Sequence, residues 1–168
     1  RREGLRDFGA CLSPHSAWLI LQGMETLSLR MAQHMRNAER VIEFLLAHPM
    51  IARVAHPMVD SHPSHALAQQ LLPKGAGSVF SFDIQGSRAQ GQAFIEALKI
   101  FSHLANVGDA KSLVIHPAST THFRMSDADL ANAGIGPGTI RLSVGLEDAD
   151  DLIDDLKRAL KAAEKAGS

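Results

Sequence analysis

The sequence predicts an α+β domain: a long N-terminal helix, then a mainly antiparallel sheet with helices packed on one face. Three observations carry this expectation. An apolar helical period runs from Ser13 to Pro49. Two short runs, SVFSFDI and TIRLSVGL, alternate as strands do and are bounded by glycine. Between and after them, helical and strand patterns follow one another in mixed order, without a repeat or a low-complexity tract.

Each element has a local cause. Ser13 supplies a capping hydroxyl and Pro14 costs nothing at the first helical position, where its missing N–H has no partner to lose. From there the apolar positions Trp18, Leu21, Leu27, Met31, Met35, Val41, Phe44 and Leu45 keep one helix going for more than thirty residues, with Gly23 as the candidate bend. Pro49 ends it, because the residue before proline avoids helical backbone. Met50 to Val54 is a strand candidate, HPMVDSHPSH a loop, and ALAQQLL a short helix. Ser78 to Ile84 is a strand and Arg88 to Phe101 an amphipathic helix. Leu104 to Val107 and Ser112 to Ile115 read as short strands. Ser126 caps a helix that runs to Ala133, with Asp127 and Asp129 in its first turn. TIRLSVGL is a strand and Asp148 opens the last helix.

Composition narrows the partners. With 168 residues, 45% of them hydrophobic, the chain is long enough to bury a core. A net charge of −1 gives no electrostatic case for nucleic acid or an anionic membrane surface. No apolar run approaches the roughly 20 residues that span a bilayer. The single cysteine, Cys11, excludes an internal disulfide framework and suits a reducing, cytoplasmic compartment. The opening RREGLRDFG carries no signal pattern, and the helical finish DLIDDLKRALKAAEKAGS looks natural. The expectation is therefore the C-terminal part of a larger protein.

The densest chemistry lies in LANVGDAKSLVIHPASTTHF, residues 104–123. His116 and His122 could act as acid–base groups, but loop-orienting hydrogen bonds are the better expectation. Ser112, Ser119, Thr120 and Thr121 are hydroxyls outside any Gly-x-Ser-x-Gly elbow, which argues against a hydrolase triad. His56, Asp60, His62 and His65 cluster in sequence, yet their spacing matches no zinc pattern. GIGPGTI lies between a helix and a strand, whereas a pyrophosphate loop needs strand, loop, helix. Arg141 sits mid-strand between Ile140 and Leu142. It either reaches solvent or, if it faces a cleft, offers a planar fork to a carboxylate. Asn106 either adds an amide donor to the same anion or caps a turn.

SPHSAWLILQGMETLSLRM, NVGDAKSLVIHPASTTH and AGIGPGTIRLSVGLEDADDLIDDLKRAL together resemble the C-terminal part of the Cys/Met-metabolism family of pyridoxal-phosphate enzymes. The family includes cystathionine synthases and lyases, methionine γ-lyase and the homoserine sulfhydrylases. The resemblance runs from Phe8 to Leu160 and implies the small C-terminal domain of a fold-type I transferase, residues 14–168, with residues 1–13 as the end of a linker from a cofactor-binding domain. Asn106 and the wording around it point to the O-acetylhomoserine sulfhydrylases, with an O-succinylhomoserine sulfhydrylase, a related cystathionine synthase or lyase, or a catalytically silent folded module as the alternatives. The resemblance implies that Arg141 grips the α-carboxylate of an amino-acid substrate, that Asn106 helps bind it, and that Thr121 lies near that pocket. It also implies pyridoxal 5'-phosphate as cofactor and a homo-oligomer, a dimer of dimers. The family's cofactor lysine stands in a Ser-x-Thr-Lys context that this chain lacks. Its lysines are Lys74, Lys99, Lys111, Lys157, Lys161 and Lys165, and none reads as a desolvated amine. By itself the chain is expected to be inactive.

Overall fold

The computed structural model describes residues 3–9, 11–120 and 122–167. After a short helix α1 (Gly4–Phe8), the elements are α2 (Pro14–Glu25), α3 (Leu27–Ala47), β1 (Ile51–Ala55), α4 (His65–Leu71), β2 (Val79–Ile84), α5 (Arg88–Ala97), β3 (Ser102–His103), β4 (Leu113–Ile115), a 3-10 turn (Pro117–Ser119), α6 (Asp127–Asn132), β5 (Thr139–Ser143) and α7 (Ala149–Ala166). The strands form one sheet in the order β1-β2-β5-β4-β3. Every pair is antiparallel except β3–β4. None of the helices among the described residues is long and apolar enough to cross a membrane.

The long helix is two helices. It breaks at Thr26, not at Gly23, which stays helical. Thr26 departs from helical backbone at φ −99, ψ 4, its N–H turns back to the Met24 carbonyl, and its hydroxyl accepts from the Arg30 guanidinium. A β-branched residue with a local hydrogen-bond alternative is a natural place for such a break. At the other end the expectation holds: His48, before Pro49, is extended at φ −89, ψ 129.

The two helices differ in what they bury. α3 turns His34, Asn37, Ala38, Val41, Ile42 and Leu45 inward, one stripe at helical spacing. α2 buries nothing: Trp18, Leu19, Ile20, Leu21 and Met24 are each more than half exposed.

The sheet has one dry face. Phe80, Phe82 and Ile84 alternate inward from β2, Ile140 and Leu142 from β5, and Val54 and Val114 from the strands beside them. They share one core with the α3 stripe, with Phe94 of α5, and with Leu152, Leu156, Ala159, Leu160 and Ala163 of α7. Phe82 and Phe94 meet edge to face at 5.8 Å. Each fully buried Leu, Ile or Phe contributes about 1.5–3 kcal/mol. The residues at odd positions of β2 and β5 project to the opposite face.

Two expected boundaries move. α5 stops at Ala97 instead of Phe101, because the next backbone donors have another acceptor. The buried carboxylate of Asp155, on α7, accepts from Lys99 N (3.0 Å), Ile100 N (2.8 Å) and Phe101 N (3.3 Å), and from the Arg158 guanidinium. Leu104 to Val107 is not a strand: pairing ends at His103, and Leu104 and Val107 are exposed, so no burial supports extension. α7 opens as expected on Asp148, whose carboxylate accepts from Asp150 N at 2.8 Å.

Burial alone would raise the Asp155 pKa, but the three N–H donors and Arg158 outweigh it and hold the carboxyl below its ordinary value. A depressed carboxylate stabilises the fold above its unfolded pKa, and that contribution is lost as pH falls through the native value. Asp155→Ala leaves three donors unpaired and is expected to cost about 2–4 kcal/mol in urea unfolding at pH 7. The gap to wild type narrows below about pH 4.

Candidate functional site

Arg141 stands at the middle of β5, between Ser81 of β2 and Ile115 of β4. Its strand neighbours Ile140 and Leu142 go into the core, so alternation sends Arg141 to the opposite face. There it is half-buried. Its Nη2 donates to the backbone carbonyl of Asn106 at 3.4 Å.

The charges around it are already matched to one another. Asp83, on the same face, accepts from Thr139 Oγ1 at 2.6 Å and from Arg53 Nε at 2.8 Å. Among the described residues Arg141 therefore has no carboxylate partner. A half-buried guanidinium without an internal counter-ion suits a fixed external anion.

Asn106 is on the exposed loop after β3, and its Oδ1 accepts from Val107 N at 2.8 Å. That leaves the two N–H donors of its amide for a ligand. Gly108 takes a left-handed φ of +73, a turn that only glycine makes without strain. The structure thus brings Asn106 and Arg141 together. Thr121 lies outside the described residues.

The turn from Pro117 to Thr120 is anchored by His116. This ring is fully buried, with Nε2 2.7 Å from the Pro137 carbonyl and Nδ1 2.9 Å from Ser119 Oγ. Nε2 donates to the carbonyl, and Nδ1 accepts the Ser119 hydroxyl, which is a neutral imidazole. Thr120 Oγ1 also donates to the His116 carbonyl at 2.8 Å. The loop-orienting reading of His116 holds.

The histidine-rich loop behaves likewise. His56 donates to Gly77 O, His65 to Pro57 O, and His62 Nδ1 accepts from Ser64 N. Among the described residues no three His, Cys, Asp or Glu side chains converge as metal ligands.

Sequence reasoning missed the fasteners. His34 Nδ1 lies 2.7 Å from the Val144 carbonyl, and Asn37 Nδ2 donates to the carbonyls of Gly145 (3.0 Å) and Glu147 (2.8 Å). α3 thereby holds the chain leaving β5. The signal was present: two polar residues at i, i+3 within an apolar stripe.

The residues match the model of the family described as Cys/Met metabolism PLP-dependent enzyme over 2–161. The chain belongs to that family. O-acetyl-L-homoserine sulfhydrylase of Leptospira meyeri is 49% identical over 162 residues, 96% of this chain and 37% of that protein. A Campylobacter jejuni structure described as an O-acetylhomoserine (thiol)-lyase, carrying a pyridoxyl-lysine phosphate, is 45% identical with a TM-score of 0.82, over 95% of this chain and 38% of that one. Cystathionine gamma synthase of Xanthomonas oryzae, in complex with cystathionine, is 40% identical with a TM-score of 0.83, over 95% and 41%. The chain thus spans about two fifths of the length of the relatives it matches.

The described residues do not fit as the holder of the family's cofactor. All six lysines are exposed, so none has the desolvated amine that a Schiff base with pyridoxal phosphate requires.

Burial lowers the His116 pKa from 6.5; the Pro137 bond raises it, and Arg88 and His103 add to the lowering. An unfolded chain then takes up the proton first, so stability falls as pH drops below 6.5 and the loss levels off below the native pKa. An NMR titration of the His116 ring is expected to give a midpoint below 6.5, with the Nε2–H tautomer above it.

Proposed function

We propose that this chain is the substrate-binding C-terminal part of a pyridoxal-phosphate enzyme of γ-replacement. Residues 14–168 form the domain and residues 1–13 end its linker. The parent would convert O-acetylhomoserine, with sulfide or a thiol, to homocysteine or methionine. Arg141 holds the substrate's α-carboxylate through its fork, the Asn106 amide donates to the same group, and Thr121 is the further residue proposed near that pocket. Fixing the carboxylate anchors the amino acid in the bound state and in the transition state alike, which lowers KM. The cofactor and its lysine belong to residues outside this chain, which alone is inactive.

The observation that carries this reading is the half-buried Arg141, without a carboxylate partner among the described residues and beside Asn106. The 49% identity to a protein named for O-acetyl-L-homoserine favours the acetyl substrate. The O-succinylhomoserine sulfhydrylases and the cystathionine synthases and lyases are the alternative, and the likeness to a cystathionine-bound synthase supports that branch. The parent is proposed to work in the cytoplasm, where the exposed free thiol of Cys11 stays reduced. It is proposed to be a homo-oligomer, a dimer of dimers, in which the exposed apolar side chains of α2 are covered.

Arg141→Ala in the full-length enzyme tests the site. Two charge-assisted hydrogen bonds at about 1.5–3 kcal/mol each predict a KM for O-acetylhomoserine raised by roughly a hundredfold or more. Arg141→Lys keeps the charge but not the fork and recovers only part of that loss. An unchanged KM in Arg141→Ala removes the carboxylate role.

A further inference from the structure

We infer that Ser112 and Glu147 are positioning residues, a latch that sets the Asn106 loop against the Arg141 strand. The inference rests on the roles proposed above for Arg141 and Asn106. Ser112, one of the hydroxyls outside any nucleophile motif, and Glu147 bond to each other. Ser112 is fully buried, and its hydroxyl makes both its bonds inside the protein.

The latch begins where backbone pairing stops. The β4–β5 ladder ends at Leu113 opposite Ser143. Beyond it, side chains continue the joint. Ser112 Oγ donates to Glu147 Oε2 at 2.8 Å, and Ser112 N donates to Glu147 Oε1 at 2.7 Å. The same hydroxyl accepts from Gly145 N at 2.7 Å. Leu146 N donates to Ala110 O at 2.9 Å, and Ser102 N to Ser112 O at 2.9 Å. The start of β4 is therefore tied directly to the residues that follow β5, and β3 is tied to the same joint through Ser112.

The approach is close enough to exclude any side chain. A Cβ on Gly145 would lie 2.5 Å from Ala110 O, Ser112 N and Glu147 Oε2 at once. The segment is also gripped from behind, since His34 and Asn37 of α3 hold the carbonyls of Val144, Gly145 and Glu147. α3 fixes the end of β5, and Ser112–Glu147 fixes the loop to that end. The distance from Asn106 to Arg141 is the quantity this arrangement sets. Releasing it lets the loop carrying Asn106 drift from a strand that stays in place. A misplacement on the order of 1 Å at such a site can cost up to a hundredfold.

A positioning role and a merely structural one give different kinetics. If the latch sets the carboxylate pocket, its loss weakens substrate binding before and during reaction alike, so KM rises while kcat holds. If it only supports the fold, fewer molecules are active, so kcat falls while KM holds.

The experiment uses the full-length enzyme with O-acetylhomoserine and sulfide. Ser112→Ala is expected to raise KM by roughly tenfold or more with kcat within about threefold. Glu147→Gln, which keeps the volume and one acceptor, gives a smaller rise in the same direction and serves if Ser112→Ala does not fold. In the double variant Ser112→Ala/Arg141→Ala, KM is expected to match Arg141→Ala within about threefold, because the pocket the latch sets is already gone. KM effects that multiply in the double variant overturn the inference. So does an unchanged KM in both single variants. If Arg141→Ala itself leaves KM unchanged, the proposed site fails; if Arg141→Ala raises KM and the latch variants do not, only the latch fails.

Discussion

Alternation along β5 is the constraint on which the rest of the molecule depends. Ile140 and Leu142 are fully buried against the helices, and the backbone geometry of a strand then allows Arg141 only the other face. A slip of one residue would drive a guanidinium into the core and put two large apolar side chains outside. The cost of burying that charge, several kcal/mol, is what locks the register. β5 lies in the middle of the sheet, paired on both edges, so the position of Arg141 is set by two strands at once.

Buried polar groups do the fastening at the ends of elements. Asp155 collects the backbone donors released where α5 ends. His34 and Asn37 take carbonyls released where β5 ends. His116 bridges the turn after β4 to the turn before β5. Each occupies a place where regular structure stops and its backbone groups would otherwise be buried without partners. Among the described residues no buried side-chain nitrogen or oxygen lacks a partner. Every one of these bonds joins segments far apart in the chain, so each is worth more for geometry than for net stability.

The same economy leaves two surfaces unmatched. One is the Arg141 face, where Asp83 is already taken by Thr139 and Arg53. The other is α2, which is apolar yet buries no residue. In the proposed reading both have a common sense, a substrate half-site and an apolar helix to be covered, in a chain that spans about two fifths of its relatives' length. The six lysines are all exposed, so none of them has a desolvated amine.

The sequence alone determined whatever depends on local periodicity and local capping. Ser13 and Asp148 start helices because their oxygens reach the next turn's N–H groups. Pro49 forces His48 out of the helix, and SVFSFDI and TIRLSVGL alternate because their faces meet different surroundings. The three matching segments also made the family legible, and with it the expectation for Arg141 and Asn106. Tertiary structure decided what depends on a distant partner. α5 ends early because Asp155, more than fifty residues on, competes for its donors. Leu104 to Val107 stays irregular because nothing covers it. Only the structure separates Thr26 from Gly23 as the break in the long helix: Thr26 leaves helical backbone with its N–H on the Met24 carbonyl and its hydroxyl on Arg30, while Gly23 stays helical. His34 and Asn37 share a helical spacing, but nothing in the sequence ties them to Ser112 and Glu147. Folding brings them to one joint, because hydrogen bonds between segments follow from where the sheet and helices pack, not from spacing along the chain.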